Sequence, residues 1–191
     1  MKVARAEIVR AARELFRQYG YAGASMQALA TSVGLQKASL YMRFANKESL
    51  VPEVMALTLA ESFNDPGINN SDWRTAYEAA LREMASDLSG TKRCVGLHLA
   101  YGVTDETPIA REAVRSFFLA SRDHLRTILE TGMGQNLAEQ LATDALLRLE
   151  GATLWLAMMD DKAPMERAVK TLIAEANVAV VGFSKTETLP S

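Results

Sequence analysis

The chain has 191 residues, of which 49% are apolar and 23% charged, with one cysteine and a net charge of −2. Such a chain buries a core without help, which excludes wholesale disorder, and a lone Cys94 excludes an intramolecular disulfide and a cysteine-only metal cluster. The charge is uneven: residues 1–50 hold 8 basic and 3 acidic groups (+5), and residues 51–191 hold 13 and 20 (−7). A basic segment on an acidic body suggests that one end meets a polyanion.

Helical periodicity dominates, and no strand pattern emerges. Ile8, Ala12, Leu15, Phe16 and Tyr19 form the stripe of a first amphipathic helix, with Arg10, Arg13 and Arg17 off the stripe and expected in solvent. Gly20 and Gly23 bracket a break. Ser25 is a good N-cap for a short second helix carrying Met26, Leu29, Ala30 and Val33, which Gly34 stops. A third helix is predicted over about Gln36–Phe44, with Leu40 and Phe44 inward. A fourth opens at Asn46 or Lys47 and runs to about Asn64, with Pro52 expected to kink its second turn.

Pro66, Gly67, Asn69 and Asn70 predict a loop, and Asp72 a cap for a fifth helix to about Leu88, interrupted by Gly90. A sixth helix is predicted over 92–103. Thr107 caps and Pro108 opens a seventh, to about Thr131. Residues 135–141 read as a short helix or loop, 143–162 as an eighth helix, and Pro164 to about Gly182 as the last. The tail from Ser184 is polar. The longest apolar runs, Leu154–Met159 and Val178–Phe183, are too short to span a bilayer. With no apolar run at the start, no signal peptide is expected, and the expected location is cytoplasmic.

The second and third helices, joined around Gly34, have helix-turn-helix dimensions: a bracing helix, a tight turn, and a helix sized for the major groove. The stretch AEIVRAARELFRQYGYAGASMQALATSVGLQKASLYMRFANKESL closely resembles the N-terminal domain of tetracycline-repressor (TetR/AcrR) family regulators. The matches are I…A…LF…YG…S…LA…VG and then LY..F..KE.L, over about 45 residues. The resemblance implies an all-α fold of about nine helices, with a three-helix head at 1–47, a helical effector-binding and dimerisation domain at 48–183, and a flexible tail at 184–191. It also implies a sequence-specific transcriptional regulator, foremost a repressor, that is not an enzyme and needs no cofactor or metal.

The same resemblance places Lys37, Ala38 and Ser39 on the recognition helix, near base edges or phosphates. It places Tyr41 and Lys47 on phosphate, and Ser25 and Gln27 at the start of the second helix, also facing phosphate. Lys and Arg suit phosphate or guanine, and hydroxyls can donate to phosphate. Gln36 stands where the family has a serine cap, Ala38-Ser39 where it has Gly-Thr, and Met42 and Arg43 where His or an aromatic is common. Arg43 stays open between guanine and phosphate.

The eighth helix is apolar on more than one side. Ala142, Leu146, Leu149, Thr153 and Leu156 form one stripe; Leu147, Leu154, Trp155 and Met158 lie off it. The last helix has Met165, Val169, Leu172, Ile173, Ala176 and Val180, with Val178 and Val181 behind. Helices apolar on two faces bury both. The resemblance implies a homodimer pairing these helices, at about 143–162 and 165–182, and two heads on a near-palindromic double-stranded operator. It also implies a small, apolar effector, for which Phe63, Tyr77, Cys94, His98, Tyr101, Phe117, His124, Trp155, Met158 and Met159 are candidates, among neighbours such as Trp73 and Phe118. Cys94, His98 and Tyr101 share one face of the sixth helix. A DNA-binding dimer without an effector, and an all-helical carrier or enzyme with an idle head, remain as alternatives. Glycine-rich phosphate loops, nucleophile elbows and HExxH are lacking in the sequence.

Overall fold

The computed structural model describes residues 3–63 and 72–186, with side chains described as far as Val180. The predicted loop at Pro66, Gly67, Asn69 and Asn70, the side chain of Val181 and the end of the tail lie outside these residues. Among the described residues there are nine α-helices and no strand. They are α1 (Arg5–Gly23), α2 (Met26–Ser32), α3 (Lys37–Tyr41), α4 (Val51–Ser62), α5 (Trp73–Thr91), α6 (Val95–Ala100), α7 (Pro108–Glu130), α8 (Gln135–Met159) and α9 (Ala163–Thr186). No helix among them is long and apolar enough to cross a membrane.

The chain divides into two compact units. One comprises residues up to Glu61 together with Arg93–Leu119; the other comprises Ser62–Lys92 and the chain from Ala120. By compactness, α4, α6 and the start of α7 group with the first three helices.

In the first unit the stripe of α1 faces the core, with Ile8, Ala12 and Phe16 buried along with Leu29, Ala30, Leu40 and Phe44, except that Tyr19 at its end is 53% exposed. Glu7 closes the start of α1 by accepting from the Ala4 N–H at 2.7 Å. The break expected near Gly20 is real: its φ of 66° and ψ of −175° interrupt α1, in a region essentially restricted to glycine. The bend brings α6 close, so that a Cβ on Gly20 would stand 3.5 Å from the His98 carbonyl oxygen. Arg93 fastens the same junction, donating to the Gln18 carbonyl at 3.1 Å.

Helix α3 is shorter than predicted. Five residues are helical, and the chain then turns, with the Arg43 and Phe44 N–H groups both meeting the Leu40 carbonyl at 3.0 Å. The fourth helix begins as a 3-10 turn over Glu48–Leu50 before α4. Pro52 accordingly sits in the first turn of α4 and not at a kink in the second, where its missing N–H coincides with the change from 3-10 to α pairing.

Helix α5 runs through Gly90 to Thr91, ended by Lys92 in the left-handed region (φ 54°). Asp72 caps its start, accepting from the Arg74 N–H at 2.9 Å. The predicted sixth helix shrinks to Val95–Ala100, with the Cys94 sulfur as its cap. The segment at 135–141 and the predicted eighth helix are one continuous α8, stopped by Asp160 in the left-handed region (φ 55°). The second unit packs α5, α8 and α9 with the latter part of α7 around Tyr77, Leu81, Leu125, Leu129, Ala145, Leu149 and Leu172. Trp73 packs closely against Gly132, where a Cβ would fall 2.1 Å from its indole nitrogen. Arg148 to Glu175 (2.9 Å) and Arg74 to Asn177 (3.0 Å) tie α9 to α8 and α5.

Candidate DNA interface and effector residues

The helix-turn-helix is assembled as the motif requires. Ser25 takes an extended backbone, and its hydroxyl oxygen accepts from the Ala28 N–H at 3.0 Å. This capping leaves its O–H free to donate outward. Gly34, with a φ of 68°, supplies the positive angle that turns the chain after α2. Gln36 stands before α3 without a side-chain cap bond. Leu40 and Phe44 are buried, while Gln27, Gln36, Lys37, Ala38 and Tyr41 are exposed and Ser39 is half-buried. One row of α3 therefore anchors the hairpin and the rest is presented to solvent. The Lys37 ammonium lies 5.9 Å from the Tyr41 ring centroid, bringing a cation and a phenol together on that surface. Met42, named in the sequence only as a departure from the family, is 81% exposed at the end of α3.

Arg43 and Lys47 depart from the DNA-facing expectation. Arg43 is half-buried, and its guanidinium donates to the Val3 carbonyl at 2.6 Å. Its own carbonyl accepts from Arg5 at 3.1 Å. Lys47 is turned inward: its ammonium donates to the carbonyls of Tyr21 (2.5 Å) and Ala24 (3.0 Å) and lies 4.3 Å from the Tyr21 ring centroid. Burial lowers the pKa of this ammonium and, first among its causes, raises that of Tyr21. The carbonyls after the Gly20 break have no helical partner ahead of them, and Lys47 supplies one.

The other arginines of the head are also engaged internally, and the expectation that Arg13 and Arg17 stay in solvent is corrected. Their side chains are only 15% and 16% exposed, Arg13 pairing with Glu61 (2.5 Å) and Arg17 with Glu14 (2.5 Å). Arg10 reaches the same Glu61 at 3.6 Å and Arg5 holds Glu53 at 2.5 Å. The Arg13 hydrogen bond is the main reason the Glu61 carboxyl sits below its ordinary pKa. Glu53 and Glu61 follow residue 50, so the sequence division assigned to the body carboxylates that neutralise the head.

A further residue escaped the sequence reading. Glu48 caps α7: one carboxylate oxygen accepts from the backbone N–H groups of Ile109 (2.7 Å) and Ala110 (3.2 Å). Thr107, the predicted cap, instead accepts from the Thr104 N–H at 2.9 Å. The partners are 61 and 62 residues away, so no local pattern signals this cap.

The effector candidates fall in both units. In the first, Cys94 is buried and its sulfur accepts from the Leu97 N–H at 3.4 Å. His98 is half-buried with its pKa lowered, by burial first and then by Arg93. Phe117 is buried edge-on to Phe118, its ring against Gly96. Tyr101 is 86% exposed and lines no enclosed wall. In the second unit Tyr77 is fully buried on α5, burial raises its pKa, and its hydroxyl has no hydrogen-bond partner among the described residues. Phe63 stacks on His124, with ring centroids 4.2 Å apart. Burial lowers the His124 pKa, and its Nε2 is likewise without a partner among the described residues. Trp155, Met158 and Met159 are exposed, the Trp155 indole N–H donating to Asp161 at 3.2 Å. They lie outside any core of this chain because the opposite row of α8 (Ala145, Leu149, Ala152, Leu156) faces inward. Among the described residues no group of three His, Cys, Asp or Glu is placed to hold a metal.

Comparison with known proteins agrees with this arrangement. Residues 8–54 match the sequence model described as bacterial regulatory proteins, tetR family. Curated protein sequences give no match. Among solved structures, a TetR transcriptional regulator from Chloroflexus aurantiacus J-10-FL is similar at 26% identity and a TM-score of 0.77, over 89% of this chain and 92% of that one. One from Legionella pneumophila is similar at 20% identity and the same TM-score, over 90% and 97%. BioQ, solved with its double-stranded DNA operator, shares the fold at 17% identity and a TM-score of 0.60, over 92% and 98%. The signature of the tetR family thus lies in the helix-turn-helix head, at residues 8–54, and the chain as a whole has the fold of TetR transcriptional regulators.

Proposed function

We propose that the protein is a homodimeric repressor that two helix-turn-helix heads hold on a near-palindromic operator and that a small, apolar effector releases. The observation that carries the DNA part is the surface of α2 and α3. Ser25, Gln27, Gln36, Lys37, Ala38, Ser39 and Tyr41 surround a hairpin anchored by Leu40 and Phe44. Lys37 supplies the charge, and the hydroxyls and amides supply donors for phosphate and base edges. BioQ, of the same fold, was solved on its operator. In this reading residues 1–47 are the DNA-binding part, and the protein works in the cytoplasm, on the nucleoid when bound.

Dimerisation is supported by α8. Leu147, Gly151, Leu154, Trp155 and Met158 recur at helical spacing and are exposed. A contiguous apolar stripe of this kind marks an interface. Val178 extends it from α9. Release by an effector is supported by the buried hydroxyl of Tyr77 and the Nε2 of His124, which leave polar groups for a ligand in an otherwise apolar unit.

Selection of binding sites from random double-stranded DNA by the purified chain tests the reading. A palindrome with half-sites about 34–36 Å apart, or a multiple of that, is the expected result. Recovery of no sequence, or of single half-sites bound by monomers, would overturn it. For the effector, linkage requires that operator DNA weaken ligand binding by the factor by which ligand weakens DNA binding.

A further inference from the structure

A groove of about 360 Å³ runs between α5 and α9 in the second unit. Its floor is apolar: Ala85, Met165 and Val169, all buried. Its rim is cationic, with Arg82 from α5, Lys162 from the turn just before α9 and Lys170 from α9, against the carboxylate of Glu166. This is unusual for its surroundings, since the unit carries 15 acidic and 10 basic side chains. Neither Lys162 nor Lys170 has a side-chain ion pair or hydrogen bond among the described residues; Arg82 is held by Glu78 at 2.7 Å.

The positions of the cations define the occupant. Lys162, the residue just before α9, and Lys170 within it are eight residues apart, about 12 Å along the helix axis. Helices α5 and α9 run antiparallel, because Arg74 meets Asn177 at one end and Lys92 pairs with Asp160 at the other. Arg82 therefore stands near Lys170, and Ser89 near Lys162. Positive charge sits at both ends, Lys162 lying close enough to Asp160 to help lower its pKa, and the apolar floor of Met165 and Val169 runs between them with Glu166 on the rim. The groove is distinct from the exposed stripe of α9, which passes through Arg167, Thr171, Ala174 and Val178 on another side of the helix.

We propose that this groove binds an elongated organic dianion, a saturated α,ω-dicarboxylate, with one carboxylate at Arg82 and Lys170, the other at Lys162, and the methylene chain over Met165 and Val169. The apolar floor contributes burial of the chain. The separated cations select two charges over one. The volume lies in the range of small-molecule sites. The proposal does not rest on the DNA reading.

Calorimetric titration of the full chain with decanedioate tests it, with decanoate and 1,10-decanediol as comparators and circular dichroism as a check on folding. Decanedioate is expected to bind at least fivefold more tightly than decanoate and at least tenfold more tightly than the diol. K162A and K170A, both at exposed positions, should each weaken it at least fivefold, and Ser86→Phe, which fills the groove, should abolish binding. No heat from decanedioate at millimolar concentration would overturn the proposal. So would equal affinity for the diol, or affinity that both lysine variants leave unchanged.

Discussion

Replacing Lys47 with methionine separates two roles that a lysine at this position can hold. Methionine keeps the apolar stem and removes the ammonium. The carbonyls of Tyr21 and Ala24 then lose their donor, and the Tyr21 ring loses its cation. Hydrogen bonds from a charged donor contribute about 1.5–3 kcal/mol each in net terms, and a cation over a ring about 0.5–1 kcal/mol near the surface. Lys47 is half-buried, so solvent replaces part of this, and the expected loss is about 2–3 kcal/mol. Amide hydrogen exchange reads it directly. Protection at the end of α1 and in α2 should fall about 30- to 150-fold, the same free energy expressed as an opening constant. Both tryptophans, Trp73 and Trp155, lie in the second unit, so their fluorescence serves as an internal control that should not move. Operator affinity should drop while the slope of log K against log salt stays constant, because no phosphate contact is lost. Unchanged protection together with a salt slope reduced by about one would refute the reasoning and return Lys47 to the phosphate backbone.

Lys37→Ala should behave oppositely, lowering the salt slope by about one with no change in head stability; a gel-shift salt series against hydrogen exchange decides it. Glu48→Ala removes the cap of α7 and should cost about 1 kcal/mol, read as faster exchange at Ile109 and Ala110; identical exchange in the variant would show that the cap contributes nothing. His98 and His124 have lowered native pKa values, so the unfolded chain takes up protons first as pH falls. Their contribution is complete above the unfolded value of about 6.5 and is lost as pH drops towards the native values. Urea midpoints should fall over that window and fall less in the His124→Gln variant. Leu154→Glu puts a charge in the exposed stripe of α8 and should convert the proposed dimer to monomer in sedimentation at micromolar concentration; a dimer of wild-type affinity would move the interface elsewhere.

The fold was legible where periodicity is long or a cap is local. The stripe of α1, the Ser25 and Asp72 caps and the two sides of α8 follow from residue spacing alone. The structure gives those two sides opposite fates: Leu149 and Leu156 inward, Leu154 and Met158 in solvent. Termination was harder to read. Gly90 continues α5 in open space, whereas Lys92 and Asp160, neither a glycine, take the left-handed angles that end α5 and α8. At the candidate site the sequence identified the hairpin but not the destination of its charges. Arg13, Arg17, Arg43 and Lys47 look alike as basic residues in a basic segment. The partners of Arg13, Arg43 and Lys47, namely Glu61, the Val3 carbonyl and the turn after Gly20, are set by tertiary packing, whereas Arg17 meets Glu14 three residues away on α1. The Glu48 cap on α7 is of the same kind.

These internal engagements bear on how a regulator finds its site. Background attachment to DNA arises from lysines and arginines that displace counterions along the phosphates, and a genome offers about 10⁶–10⁹ competing sites. A head whose guanidiniums grip Glu53, Glu61 and its own backbone has little charge left for such encounters. On the proposed reading it would leave random sequence quickly, and few copies would be detained in transit. The fit of the short α3 surface, doubled by a second head in the proposed dimer, would then hold it at a matching sequence.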